Sequence, residues 1–189
     1  MGREITRRAA LAAELAISVS GRFAFAQTTP ALVCTPGTLT PRSTEGPYFK
    51  PNSPERSVLV EPGVSGAKIA LTGLVRDSAC HPVKGALIDL WHADGQGRYD
   101  NAGYRLRGHQ YTDASGRYRF ETVAPAPYVG RTRHFHVKVQ APAGPVLTTQ
   151  LYFPGEAGNA RDGLFRKELL LALSREGAAG GFDFVVATA

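Results

Sequence analysis

The chain has 189 residues, 43% of them hydrophobic and 20% charged, proportions of an ordinary globular domain rather than of a disordered tract. That length suffices for one domain with its own hydrophobic core, independent of metal or disulfide support. The formal charge of +6 is spread over scattered lysines and arginines with no basic run, so no nucleic-acid partner is expected.

The first residues, MGREITRRAALAAELAISVSGRFAFAQ, combine a basic start, an Ala/Leu/Ile-rich stretch and the small-x-small pattern Ala24-Phe25-Ala26. Together they read as an export signal over residues 1–26, cleaved after Ala26. Thr6-Arg7-Arg8 gives the start a twin-arginine-like character, which would make the product periplasmic or secreted. Glu14 interrupts the apolar stretch and suits the competing reading, a cytoplasmic amphipathic helix. Cleavage would remove four arginines and two glutamates and leave a charge of +4. No other stretch approaches the length of a membrane span, so no stable membrane anchor is expected. In an exported chain Cys34 and Cys80 are compatible with one disulfide; in a cytoplasmic chain, buried thiols are the expectation.

Residues 27–62 are rich in Pro, Thr and Ser and read as a loop-rich arm with little regular structure. From residue 63 onward the pattern changes to short β-branched or aromatic runs separated by turn residues: Lys68–Asp77, Ala86–Trp91, Gly116–Phe120, His134–Gln140, Leu147–Phe153 and Phe182–Val186. This rhythm predicts an all-β fold, a β-sandwich over residues 63–189. The segment Leu71–Leu90 reads as a strand–turn–strand hairpin of the kind found in prealbumin-like domains. One short helix is expected from Leu164 to Ser174, Leu-rich and starting near Asp162 as its cap.

In the run YVGRTRHFHVKV, residues 128–139, a strand would place His134, His136, Lys138 and Gln140 on one face and Phe135, Val137 and Val139 on the other. An isolated H-x-H is most often a solvent-facing pair. Tyr99 and Tyr128 sit beside Gly or Pro at loop or strand-edge positions, where a tyrosine usually serves a core or an interface. A phenolate is, however, an anionic oxygen donor suited to a hard, highly charged ion. Two tyrosines with two histidines would suit Fe(III) better than zinc. A copper or zinc centre would instead join His134 and His136 with Asp94, His92 or His109.

Thr44-Glu-Gly-Pro-Tyr-Phe49, Asp89-Leu-Trp-His-Ala-Asp94 with Gly97-Arg-Tyr99, Arg107–Asp113 with Gly116, Tyr128–His136 and Gln150-Leu-Tyr-Phe153 occur in the order and spacing of a known family. Over about residues 43–187 the chain resembles the intradiol ring-cleavage dioxygenases, the catechol and protocatechuate dioxygenase family. The resemblance implies non-haem Fe(III) held by Tyr99, Tyr128, His134 and His136. It further implies catalytic roles for Arg131 and for Gln150 in the same cavity, and for Tyr128 as the ligand that gives way to substrate and takes one of its protons. Trp91 matches a residue near the site. The implied partners are a small-molecule catechol and O2, the ring being opened between its two hydroxylated carbons to a muconate-type dicarboxylate. The helical dimerisation region of many catechol dioxygenases has no counterpart, and an oligomer is neither required nor excluded. Pro125-Ala-Pro-Tyr128 replaces the family's Pro-Gly-x-Tyr, changing a turn rather than a ligand. The prealbumin-like hairpin taken alone would fit the alternative, a non-catalytic binding module.

Overall fold

Two antiparallel-dominated sheets face each other across an apolar layer. The computed structural model describes residues 34–189; the expected export signal and residues 27–33 of the arm lie outside them. The strands are β1 (Lys68–Arg76), β2 (Leu87–Trp91), β3 (Arg107–Tyr111), β4 (Arg117–Val123), β5 (His134–Gln140), β6 (Leu147–Tyr152), β7 (Ala172–Leu173), β8 (Ala179–Gly181) and β9 (Phe184–Val185). One sheet has the order β4-β1-β8-β7, with β9 also pairing along β1; the other has the order β3-β2-β5-β6. The all-β sandwich expected from the sequence is therefore present. Among the described residues, no helix is long and apolar enough to cross a membrane.

Alternation explains the core. Ile69, Leu71, Val75, Tyr118 and Phe120 from the first sheet meet Ile88, Leu90, Phe135, Val137, Val139 and Leu151 from the second, all buried in one cluster. The opposite face of the second sheet is not left to solvent. The arm, residues 34–62, crosses it without forming a strand, pinned by Ser43 N–H to Thr148 C=O at 2.9 Å and the Lys138–Glu45 ion pair at 2.7 Å, and on either side of that crossing it reaches the first sheet through Thr40 N–H to Val185 C=O at 2.9 Å and Leu59 N–H to Glu121 C=O at 2.8 Å. Leu59 of this arm is fully buried in the core. Cys34 and Cys80 form a disulfide that ties the arm to the turn after β1.

Two expectations are corrected. Leu71–Leu90 is not a hairpin of β1 with β2, which belong to different sheets; the pairing is confined to the turn, with the Arg76–Pro82 bridge, Val83 N–H to Val75 C=O at 2.9 Å and Asp77 N–H to His81 C=O at 2.9 Å. After this short turn the chain crosses from one sheet to the other. The Leu-rich stretch 164–174 forms no α-helix; it holds a single 3-10 turn at Lys167–Leu169 and strand β7. Its buried leucines, Leu169 and Leu171, recur with period two, and Leu171 N–H donates to Tyr152 C=O at 2.8 Å, so pairing with β6 outcompetes local helix formation.

Candidate metal centre and substrate site

The site is built on the outer face of the second sheet, under the arm. Register places Trp91, His136 and Gln150 side by side across β2, β5 and β6, and Tyr152 beside His134. His134 is 2% exposed and His136 fully buried. The solvent-facing reading of H-x-H thus fails because the arm covers this face. Gly46 of the arm, with φ of +68°, is so close that a Cβ there would lie 3.1 Å from His136 Cε1. The His136 ring also stacks on Trp91, with centroids 5.1 Å apart and planes within 9°.

The tyrosines come from loops folded against each other. Asp94 Oδ1 accepts from the Gln96 and Arg98 N–H groups, closing the turn that carries Tyr99. Gly97 in this turn has φ of +76° and packs on Pro127; a Cβ would lie 2.6 Å from the Pro127 carbonyl oxygen. Only glycine lets the two loops meet this closely. Tyr128 C=O accepts from Arg131 N–H at 2.7 Å, forming the tight turn that leads into β5.

The four residues converge. Ring centroids are 5.4 Å apart for Tyr99–Tyr128, 5.6 Å for Tyr128–His134, 4.7 Å for His134–His136 and 6.3 Å for Tyr99–His136. His134 Nδ1–H donates to the Thr132 carbonyl at 2.7 Å, which turns its Nε2 lone pair inward to within 3.1 Å of His136 Nε2. Burial pushes the His134 pKa down to about 4 and lowers that of His136 as well. Both rings are therefore neutral near pH 7, the form that binds metals. His136 Nδ1 lies against the Thr44 carbonyl outside good hydrogen-bond geometry, and the buried Tyr99 hydroxyl has no hydrogen-bond partner. Burial, together with the neighbouring Tyr128, raises the Tyr99 pKa, against the pull of Arg131 and Arg107. Two inward-facing imidazole nitrogens, an unpaired buried phenol and a second phenol are a donor set that a cation would complete. Such a cation would also lower the cost of losing the phenol proton.

Arg131 and Gln150 lie beside this set. Arg131 Nε–H donates to Asp162 Oδ2 at 2.9 Å and one terminal amino group to Gln150 Oε1 at 2.6 Å. Gln150 Nε2–H in turn donates to Thr44 C=O at 2.8 Å. Tyr152, whose hydroxyl lies 2.8 Å from Gln150 Oε1, is a neighbour that the motif reading left without a role; its spacing two residues from Gln150 on one strand signals the shared face. Burial pushes its phenol up to about 12. For Asp162 the sequence offers only the role of a helix cap. Tyr48, part of the Thr44–Phe49 motif, carries no functional signal in the sequence, yet it stacks on Tyr99 with centroids 4.2 Å apart.

The alternative copper or zinc ligands are elsewhere. His92 points into the core, with Nε2 2.7 Å from Thr122 Oγ1 and its ring against Phe135. His109 Nδ1 bonds the Ser53 carbonyl at 2.8 Å, and Asp94 is occupied by its own turn and by Arg98. Among the described residues, no group of three or more His, Cys, Asp or Glu side chains could hold a metal ion.

The family model described as Dioxygenase matches residues 44–185, and the chain belongs to the intradiol dioxygenase family. It is similar to the protocatechuate 3,4-dioxygenase beta chain of Burkholderia cepacia, 32% identical over 148 residues covering 63% of each chain. The catechol 1,2-dioxygenase of a Pseudomonas species is 31% identical over 62% of this chain and 48% of its own. The chain spans about half to two-thirds of the length of the curated relatives it matches. Among solved structures, the dioxygenase domain of a dioxygenase carbohydrate-binding protein fusion from Streptomyces sp. SirexAA-E is 48% identical with a TM-score of 0.76, covering 82% of this chain and all of that one. The 3-chlorocatechol 1,2-dioxygenase of Rhodococcus opacus is 28% identical with a TM-score of 0.73, covering 79% and 73%.

Proposed function

We propose that the protein is an Fe(III)-dependent intradiol dioxygenase that uses O2 to open a catecholic ring between its two hydroxylated carbons, giving a muconate-type dicarboxylate. The observation that carries this reading is the convergence of Tyr99, Tyr128, His134 and His136 on one point, with unpaired donor atoms, next to a fixed arginine. Tyr99, Tyr128, His134 and His136 would hold the ion. Bound there, ferric iron supplies Lewis acidity and a template for the two catechol oxygens.

The chain's own groups do the rest. The Thr132 carbonyl fixes the His134 tautomer, and Trp91 and Gly46 keep water from the His136 ring. Tyr128, half-buried at the end of its turn, would be ionised as a ligand, and its phenolate oxygen would take up one of the two catechol protons, which keeps local charge balanced as the catecholate enters. Arg131, backed by Gln150, stabilises negative charge that develops on the ring during reaction, a preorganised electrostatic role.

Export to the periplasm or beyond is part of the proposal, supported by Arg7-Arg8, by Ala24-Phe25-Ala26 and by the Cys34–Cys80 pairing, which suits an oxidising compartment. Intact-mass analysis of native protein checks it: a chain starting near Gln27 is expected, and retained Met1 with two free thiols would refute it.

The enzymatic reading is tested by offering catechol, protocatechuate, hydroxyquinol and bulkier catechols to the iron-loaded protein while oxygen uptake and product absorbance are followed. Stoichiometric oxygen uptake with a dicarboxylate product is expected for at least one of them. An active, colourless zinc protein would overturn the assignment.

A further inference from the structure

Asp162 was expected to cap a helix, yet no α-helix follows it and its side chain is only 1% exposed. A carboxylate buried to that degree is costly unless its oxygens are fully engaged. Oδ2 accepts from Arg131 Nε at 2.9 Å and from Thr132 N–H at 3.0 Å, while Oδ1 accepts from Leu164 N–H at 3.0 Å. Although burial alone would raise its pKa, the bonds from Leu164, Arg131 and Thr132 hold the carboxyl below its usual range. We propose that Asp162 is the positioning residue of the reaction, acting through Arg131; the inference rests on the catalytic reading of Arg131 given above.

The geometry supports this over a purely structural role. A guanidinium is planar, so two anchored nitrogens fix its orientation. Asp162 anchors Nε, and Gln150 Oε1 anchors one terminal amino group at 2.6 Å. The other terminal amino group makes no hydrogen bond among the described residues and is left to meet charge arising in the site. Remove Asp162 and only the Gln150 and Tyr152 contacts remain, both on one nitrogen, around which the plane can turn. Besides Arg131, Asp162 touches Leu164 N–H, which holds its own loop, and Thr132, whose carbonyl orients His134. Thr132 has a second support, however, from its own Oγ1–H to Asn159 Oδ1 at 2.9 Å, and His134 is held in register against Tyr152. Loss of the carboxylate should therefore be felt at Arg131 before it is felt at the metal ligands.

The test compares Asp162→Asn, Arg131→Gln and the double variant in the iron-loaded protein. Asp162→Asn is expected to lower kcat by about tenfold or more while KM changes by less than about threefold, the pattern of an interaction made in the transition state. Iron content, the visible tyrosinate band and anaerobic catechol affinity are expected to stay at wild-type values. In the Arg131→Gln background, Asp162→Asn is expected to cost less than about twofold further, because its effect passes through the missing guanidinium. Fully multiplicative losses would overturn the proposal, and so would a parallel loss of iron or shift of the visible band, which would place the effect at Thr132 and His134. If Asp162→Asn does not fold, Asp162→Ser, which also lacks the charge, carries the same comparison. Retained turnover in Arg131→Gln alone would overturn the reading of Arg131 itself, so the two failures are distinguished by the single variants.

Discussion

Gly46→Ala isolates the contribution of the arm to the proposed metal centre. The backbone there has φ of +68°, and an added Cβ would lie 3.1 Å from His136 Cε1 and 3.7 Å from His136 Nε2. The left-handed conformation costs an L-residue about 1–2 kcal/mol, partly offset by about 0.4–1 kcal/mol from a less flexible unfolded chain. The contact is a separate matter. Carbon atoms prefer separations of about 3.5–4.0 Å, so the ring must move by a few tenths of an ångström. It cannot retreat freely, because Trp91 is stacked on the ring and His134 Nε2 stands 3.1 Å from its Nε2. Gly37→Ala is the control: its φ is +82°, with nothing within 4 Å of the added Cβ. Both variants are expected to lose roughly 1 kcal/mol, about 2–4 °C in Tm for a chain of this size, measured by thermal unfolding. Only Gly46→Ala is expected to weaken iron binding, by about tenfold, the order reported for disturbing an imidazole's supports, and to shift the visible band. Iron affinity and spectrum equal to those of Gly37→Ala would refute the claim that the arm sets the position of His136.

Tyr128→Phe is expected to retain ferric iron through Tyr99, His134 and His136 but to bind an anaerobic catechol slowly, whereas Tyr99→Phe weakens the iron in the substrate complex itself; stopped-flow visible spectroscopy separates them, and normal binding speed in Tyr128→Phe would show that this tyrosine is not the proton acceptor. The Cys34→Ser/Cys80→Ser double variant frees a loop with a sequence separation of 46, which on the chain-entropy model removes about 4 kcal/mol of stability. Urea denaturation measures it, and a loss below about 1 kcal/mol would show that the arm's hydrogen bonds, rather than the tether, constrain the chain.

Much of this architecture was legible because it is periodic. His134–Gln140 alternates cleanly, and its predicted limits are those of β5. β3 was not seen because Arg107-Gly-His-Gln-Tyr111 offers no apolar alternation: Arg107 and His109 engage the arm, and Gly108 packs beneath Arg56 and Leu59. β7 and β8 are too short and too poor in β-branched residues to announce themselves. The turn residues around Cys80 say that the chain bends there, but local turn chemistry cannot distinguish a paired hairpin from a crossover between sheets. The same limit applies to the site. Spacing puts Tyr99, Tyr128, His134, His136, Arg131 and Gln150 on the candidate list. The bond from Gln150 to Thr44 spans 106 positions and that from Arg131 to Asp162 spans 31, distances over which only the folded chain brings partners together. The arm's role as the lid over His136 was unreadable for that reason, since Pro, Thr and Ser content describes its backbone and not what it covers.

His92 shows how this core constrains the protein in acid. Its Nδ1–H donates to Ala93 C=O at 2.8 Å, its Nε2 accepts from Thr122 Oγ1 at 2.7 Å, and it is 1% exposed. Burial, aided by the positive charge of Arg107, pushes its pKa down to about 4 from 6.5. The unfolded chain therefore binds a proton at this histidine that the folded chain refuses, and stability falls as pH drops from 6.5 towards 4. Between pH 7 and pH 4.5 that term is on the order of 2–3 kcal/mol. His134 and His136 are depressed for the same reason and steepen the slope in metal-free protein, so the comparison is between the native chain and His92→Gln under identical loading. The variant is less stable at pH 7, because no glutamine rotamer replaces both hydrogen bonds, but its urea midpoint is expected to fall less on acidification. An unchanged pH slope in His92→Gln would mean that the imidazole is solvated or protonated in the folded state, and that the packing of Phe135 against it does not exclude charge from the layer directly behind the strand that carries His134 and His136.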